Sequence, residues 1–245
     1  MKPLVAIVKR EFLAYFVSPL AYVILTAFLL INGYVFYLIV MALNAPETPR
    51  TALMSLFFTS VFYWIFMMIV SSVISMRLLS EERKSGSIES LLTAPVSEGT
   101  VVVGKFVGGW CFFLFLWLPT VLYPVLLARH GSLDWGPIAS GYLGIALVGA
   151  LFISAGTFAS SLTKNQIVAA VIGFVIILAI FLVGIFKDFV TDPRLRDALA
   201  YLNLLEHMED FARGIVDTRR LVYVGSSVAF FLFLATRALD ANKGK

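Results

Sequence analysis

Ile167-Val168-Ala169-Ala170-Val171-Ile172-Gly173-Phe174-Val175-Ile176-Ile177-Leu178-Ala179-Ile180-Phe181-Leu182-Val183-Gly184-Ile185-Phe186 runs for twenty residues without a charge. A helix rises about 1.5 Å per residue, so this run crosses the roughly 30 Å of a bilayer's hydrocarbon core. Five more apolar runs lie outward from it, at about 20–42, 53–76, 105–127, 137–162 and 221–239. Of the 245 residues, 60% are hydrophobic and 14% charged; a soluble domain carries about 25% charged residues to face water. The chain is therefore expected to be an all-α integral membrane protein, a single transmembrane domain over 1–245 with the lipid bilayer as its solvent.

The connections follow from their local chemistry. In residues 4–16, Leu4, Ile7, Val8, Phe12 and Tyr15 fall at helical spacing around Lys9, Arg10 and Glu11, the pattern of an uncleaved helix lying in the membrane interface. Ser18-Pro19 ends it, because proline disfavours helix in the residue before it. Pro119 and Pro124 are expected to kink the third span. Six spans put both termini on one side, with Lys2, Lys9, Arg10, Arg77, Arg83, Lys84, Lys105, Lys164, Arg237, Lys243 and Lys245; the two short opposite loops carry only Arg50 and Arg129. That bias places both termini in the cytoplasm of a multi-pass protein of a bacterial inner membrane. It also accounts for the net charge of +4 without nucleic acid, since no soluble basic domain is present.

Most chemistry is excluded by spacing. Gly99 to Lys105 matches the first seven positions of the phosphate-binding loop GxxxxGK[ST], but Phe106 stands where Mg²⁺ needs a hydroxyl. The spans hold essentially no ionisable residue beyond their ends, which argues against an ion-coupled carrier. Asn32 is expected to hydrogen-bond a neighbouring helix. Ser154, Ser160 and Ser161 lie in the fourth span, while His130 and His207 fall in loops, so an intramembrane serine protease lacks its base. No cluster has metal-ligand spacing, and Glu206-His207-Met208-Glu209-Asp210 reads as a solvated helix face. Cys111 is a packing residue. Gly104 with Gly108, and Ala146 with Ala150 and Ser154, have the small-residue spacing of close helix contacts, within one chain or between two.

Between the second and third spans the chain reads Ser80-Glu81-Glu82-Arg83-Lys84-Ser85-Gly86-Ser87-Ile88-Glu89-Ser90-Leu91-Leu92-Thr93-Ala94-Pro95-Val96-Ser97. Ser85-Gly86-Ser87 breaks the chain and caps a short helix, Ile88–Thr93, that Pro95 stops. Ile88, Leu91 and Leu92 share one face, with Glu89 at its edge. Ser97 caps the next helix, with Glu98 in its first turn. Such an element is either an ordinary interfacial loop or a docking helix for a partner's groove.

The pattern Glu81…Gly86-Ser87-Ile88-Glu89-x-Leu91-Leu92-x-x-Pro95-Val96-Ser97…Gly104-Lys105 resembles the signature of ABC-2-type permeases, with Ser87 in place of their usual Thr. Lys9-Arg10-Glu11-Phe12…Tyr15-Phe16-x-Ser18-Pro19-x-Ala21-Tyr22 and His207…Phe211-x-Arg213-Gly214-Ile215-Val216-Asp217-Thr218-Arg219 resemble the gliding-motility-associated branch. The resemblance implies the membrane subunit of an ATP-driven ABC transporter, an exporter, paired with a second copy or a homologous permease. Its ABC ATPase subunit holds the ATP and Mg; this chain has no cofactor, metal or catalytic residue. A membrane-anchored protein with an extracytoplasmic domain is a frequent partner in that branch. By the same analogy Glu81, Gly86, Ser87, Ile88, Glu89, Leu91, Leu92 and Pro95 form the cytoplasmic coupling helix and its flanks, and Lys187–Arg220 forms short extracytoplasmic helices before span six. Spans two and five are expected to meet substrate. The rival reading is an anchor or mechanical transducer that passes ATPase motion outward without flux.

Overall fold

In lipid each backbone N–H and C=O must be satisfied within its own segment, so apolar runs of this length resolve into helices. A computed structural model of the chain describes residues 2–42, 53–86, 97–129 and 133–241. Among them the elements are α1 (Lys2–Val17), α2 (Pro19–Ala42), α3 (Leu53–Thr59), α4 (Val61–Ser75), α5 (Arg77–Ser85), α6 (Glu98–Trp117), α7 (Leu122–Ala128), α8 (Trp135–Leu162), α9 (Gln166–Ile185), α10 (Pro193–Tyr201), α11 (Leu204–Ala212) and α12 (Thr218–Asp240). One-turn 3-10 segments occupy Leu118–Val121 and Phe186–Phe189. Six stretches are long and apolar enough to cross a membrane: Pro19–Met41, Val61–Ser85, Glu98–Ala128, Trp135–Leu162, Gln166–Ile185 and Thr218–Asp240.

Five of these fall near the expected positions, and the second departs from them. The run 53–76 is not one helix. Ser60 takes an extended conformation and its Oγ accepts from the N–H of Tyr63 at 3.2 Å, so α3 stops there and α4 starts anew. The span then continues past Met76, through α5, instead of ending in a polar loop. The third span, by contrast, begins early, at the Ser97 cap, whose Oγ accepts from the N–H of Thr100. Pro119 breaks it as expected: α6 ends at Trp117, a 3-10 turn carries the proline, and α7 resumes. Asn32 does not bridge helices, since its Nδ2 donates to the Phe28 carbonyl one turn back, at 2.8 Å.

α8 is the axis of the bundle, burying seventeen of its 28 residues against α4, α5, α6, α9, α11 and α12. Small residues let the neighbours close in. A Cβ at Gly156 would stand 1.9 Å from Ser75 Oγ, and one at Gly104 or Gly108 would stand 2.7 Å from Ile7 or Glu11 of α1. The Gly104–Gly108 pair is thus accounted for within this chain, as the seat of α1 on α6. Apolar side chains on α2 (Val23, Leu30), α9 (Val171, Val175) and α12 (Phe230, Phe233) stay exposed, as a lipid-facing surface requires.

The joint at Met76 has a specific cause. Ser160 of α8 inserts its hydroxyl there, donating to the Met76 carbonyl at 2.9 Å and accepting from the N–H of Leu79 and of Ser80 at 3.0 Å each. Met76, the residue at the start of α5, supplies no side-chain cap. A serine on another helix therefore caps α5 in trans. Ser160→Ala strands two buried N–H groups at about 1–3 kcal/mol each, and is expected to lower the thermal midpoint in detergent well below that of Ser154→Ala. Ser154 bonds only the Leu151 carbonyl of its own helix, so equal midpoints for the two variants would contradict the trans-cap.

Candidate functional site

α5 and α6 bracket residues 87–96, and α1 lies along α6 on the same end of the bundle. Glu82 sits one turn before the end of α5 and Lys105 two turns into α6. The glycines at 104 and 108 bring Glu11 of α1 onto the same spot. Lys105 Nζ donates to Glu11 Oε2 at 2.9 Å and lies 3.1 Å from Glu82 Oε1, which also receives Arg10 Nη2 at 2.5 Å. The Lys105 side chain is 2% exposed and each carboxylate 9%. Glu82 Oε2 has no hydrogen-bond partner among the described residues.

Around this cluster α5 is tied on three sides. Arg77 pairs with Glu81 at 3.1 Å and lays its guanidinium over the Tyr15 ring, 5.1 Å from the centroid. Tyr15 in turn donates to the Ile74 carbonyl at 2.8 Å and stacks on Phe112 with centroids 4.3 Å apart. Arg83 Nη1 reaches the Ser161 carbonyl at the end of α8. Buried ion pairs stabilise little on balance, but they forbid any partner from leaving alone. Separating any one of the three helices leaves a buried charge unpaired.

Of the residues singled out by sequence, Glu81 is half exposed and paired with Arg77. Gly86 ends α5 with φ +72°, the left-handed conformation that closes helices. Ser87, Ile88, Glu89, Leu91, Leu92 and Pro95 lie outside the described residues. The sequence missed Arg10, Glu11, Glu82 and Lys105 as a unit, because 94 positions separate Glu11 from Lys105 and 72 separate Arg10 from Glu82. The view that the spans hold no charge beyond their ends is corrected here, since Lys105 is buried inside α6. One signal was present: a charge directly beside a small-residue helix contact must meet something across it.

The other motifs resolve without chemistry. Gly99–Lys105 is continuous helix within α6, so its N–H groups form no phosphate cradle, and Lys105 is committed to carboxylates. Ser154 and Ser161 bond carbonyls of their own helix. Among the described residues no group of three or more His, Cys, Asp or Glu is placed to hold a metal ion. The stretch 206–210 is not simply a solvated face. His207 is buried beside Leu204, Met208 and Phe211; its Nε2 meets the Tyr201 carbonyl at 3.0 Å, and its ring sits edge-on to Tyr223. Glu206 pairs with Lys187, and Asp210 with Arg220 at 3.0 Å. Burial, helped by the Arg220 charge, pushes the His207 imidazole down to about 4, against the Tyr201 carbonyl, Asp210 and Asp217.

Residues 38–204 match the family described as ABC-2 family transporter protein. No curated protein matches the chain.

Two measurements test this account. Lys105→Met leaves two buried carboxylates unbalanced and is expected to cost about 3–5 kcal/mol, much of it recovered in Lys105→Met/Glu11→Gln/Glu82→Gln; Glu81→Gln, in an exposed pair, costs under about 1 kcal/mol. Unfolding of the purified variants in one detergent measures both. For His207, the folded value lies below the unfolded one of about 6.5, so the unfolded chain binds the proton first as pH falls. Its contribution is complete above pH about 6.5 and lost towards about 4. Midpoints recorded between pH 7.5 and 5 are expected to fall less in His207→Gln than in the parent chain; parallel curves would refute the assignment.

Proposed function

The chain belongs to the ABC-2 transporter family, and from that premise we propose that it is the permease subunit of an ATP-driven ABC exporter whose ATPase is a separate polypeptide. The match over residues 38–204, including the second span and the 87–96 segment, carries the reading. Six helices fit for membrane crossing agree with it. In this reading both termini face the cytoplasm of a bacterial inner membrane, the ATPase holds ATP and Mg, and two permeases form the path. The pair is a homodimer or joins a homologous permease. The motility-associated branch adds a membrane-anchored partner with an extracytoplasmic domain.

The mechanism follows from how 87–96 is mounted. ATP-driven closure of the ATPase dimer pushes on residues 88–93 through Glu89, Leu91 and Leu92. Its neighbours on either side are α5 and α6, and Lys105 joins them to each other and to α1 through Glu82 and Glu11. Displacement of the docking segment is thereby delivered to the first three spans as one lever. Ser160 and the Ser161 carbonyl give that lever its contact with α8. Movement of the lever against the opposite permease opens the path outward, with substrate met by spans two and five.

The experiment is capture of tagged chain from its native membrane in mild detergent, followed by an ATPase assay and flux in vesicles. A nucleotide-binding subunit is expected to co-purify and to be lost with Leu92→Asp, while Glu89→Lys retains insertion but uncouples hydrolysis from flux. Coupled ATPase without flux of any substrate favours mechanical transduction; unchanged coupled transport in both variants sinks the docking assignment.

A further inference from the structure

α1 gives way to α2 at Ser18-Pro19, where the first span begins, and α5 begins at Arg77, where the apolar part of the second span ends. At both points an apolar run meets charged or polar chain. Between them lies a groove of about 480 Å³ lined by Arg10, Leu13, Ala14, Val17, Ser18 and Arg77. It shares Arg10, Ala14 and Arg77 with a polar pocket of about 250 Å³ that adds Glu81, Glu82, Ser85 and Lys105 among others. One end is apolar and open, with Leu13 49% and Val17 84% exposed. The other end is charged.

The charge balance selects the ligand. Among the described residues the pocket wall carries three cations, Arg10, Arg77 and Lys105, against three anions, Glu11, Glu81 and Glu82. A plain anion meets no net attraction there, whereas a zwitterion with phosphate and ammonium a few atoms apart meets both signs. The ion pairs within the wall engage Nη2 of Arg10 and Nε of Arg77, so each planar guanidinium keeps further N–H donors of the kind that bind phosphate oxygens. Glu81, half exposed at the same mouth, accepts from an ammonium. A trimethylammonium has no N–H to give, so it meets Glu81 without a hydrogen bond and is held best by aromatic faces. No aromatic residue is among the described residues lining groove or pocket, and the face of nearby Tyr15 is taken by Arg77.

We propose that this groove binds one aminophospholipid from the leaflet on the N-terminal side: phosphate on Arg10 and Arg77, primary ammonium on Glu81, and an acyl chain along Leu13 and Val17. The site is independent of the transport reading and holds whether or not an ATPase docks.

The test is native mass spectrometry of the full chain released from nanodiscs of equal parts phosphatidylethanolamine and phosphatidylcholine, and of phosphatidylethanolamine and phosphatidylglycerol. Retention of one phosphatidylethanolamine at about tenfold over phosphatidylcholine is expected, the discrimination one charge-assisted hydrogen bond supplies. Glu81→Gln is expected to bring that ratio near unity, and Leu13→Asp to abolish retention of either lipid; neither touches the buried Lys105 cluster. Equal retention of the two lipids by the parent chain, or phosphatidylglycerol above phosphatidylethanolamine, overturns the proposal. That lipid-side comparison decides it even if a variant fails to fold.

Discussion

A lysine with 2% of its side chain exposed, held between two carboxylates from different helices, is the constraint on which this end of the molecule depends. Removing such charges from water costs several kcal/mol per ion, and only their mutual contact offsets it. The arrangement is thus weak as a source of stability and strong as a source of geometry. α1 must lie on α6, and α5 must end beside both, or a charge is left buried alone. The glycines at 104 and 108 make the contact sterically possible; Lys105 makes its register obligatory. Apolar packing alone, being non-directional, would let α1 slide along α6.

The six spans were legible because a bilayer admits one answer to an apolar run of about twenty residues. Their internal breaks were less so. Ser60 interrupts Phe57-Phe58-Thr59 and Val61-Phe62-Tyr63 without lowering their hydropathy, so only its capping bond betrays the break. α5 was hidden for the opposite reason. Glu81, Arg83 and Lys84 make 77–85 look like a loop, yet Leu78, Leu79 and Ser80 face inward and are buried, which makes it the amphipathic end of a membrane helix. Pro119 and Ser97, whose effects are local, were read correctly. The ion cluster depends on contacts across 72 to 94 positions and has no local periodicity to reveal it. His207 failed similarly: its acidic neighbours suggested water, while Leu204, Met208 and Phe211 turn its side of α11 inward.

Ser160 belongs to the same logic from the other side of α5. A continuous helix would satisfy its own N–H groups; here Leu79 and Ser80 give theirs to a hydroxyl on α8. The break between α4 and α5 at Met76, where the backbone stays right-handed, is therefore capped by a neighbour and not by proline or glycine, and that cap is conditional on α8 staying in place. α5 runs from that junction to Gly86, and its nine residues rise about 13 Å.

The two ends of the bundle are built on different terms, and the difference bears on which end moves. At α1, α5 and α6 the contacts are directional: each charge has its partner, and displacement of one helix drags the others. At α10 and α11 the ion pairs of Glu206 and Asp210 are partly solvated and contribute little. What holds α11 there is mostly the burial of Leu204, Met208 and Phe211 against α8 and α3, together with the Ser140 Oγ–Phe211 carbonyl bond. Contacts of that kind tolerate small slides with modest loss, because area is conserved while partners change. Force applied at the α1, α5 and α6 end meets a clamp first and a more compliant joint last. A bundle with the reverse order would absorb the displacement near its source, before α8 felt it.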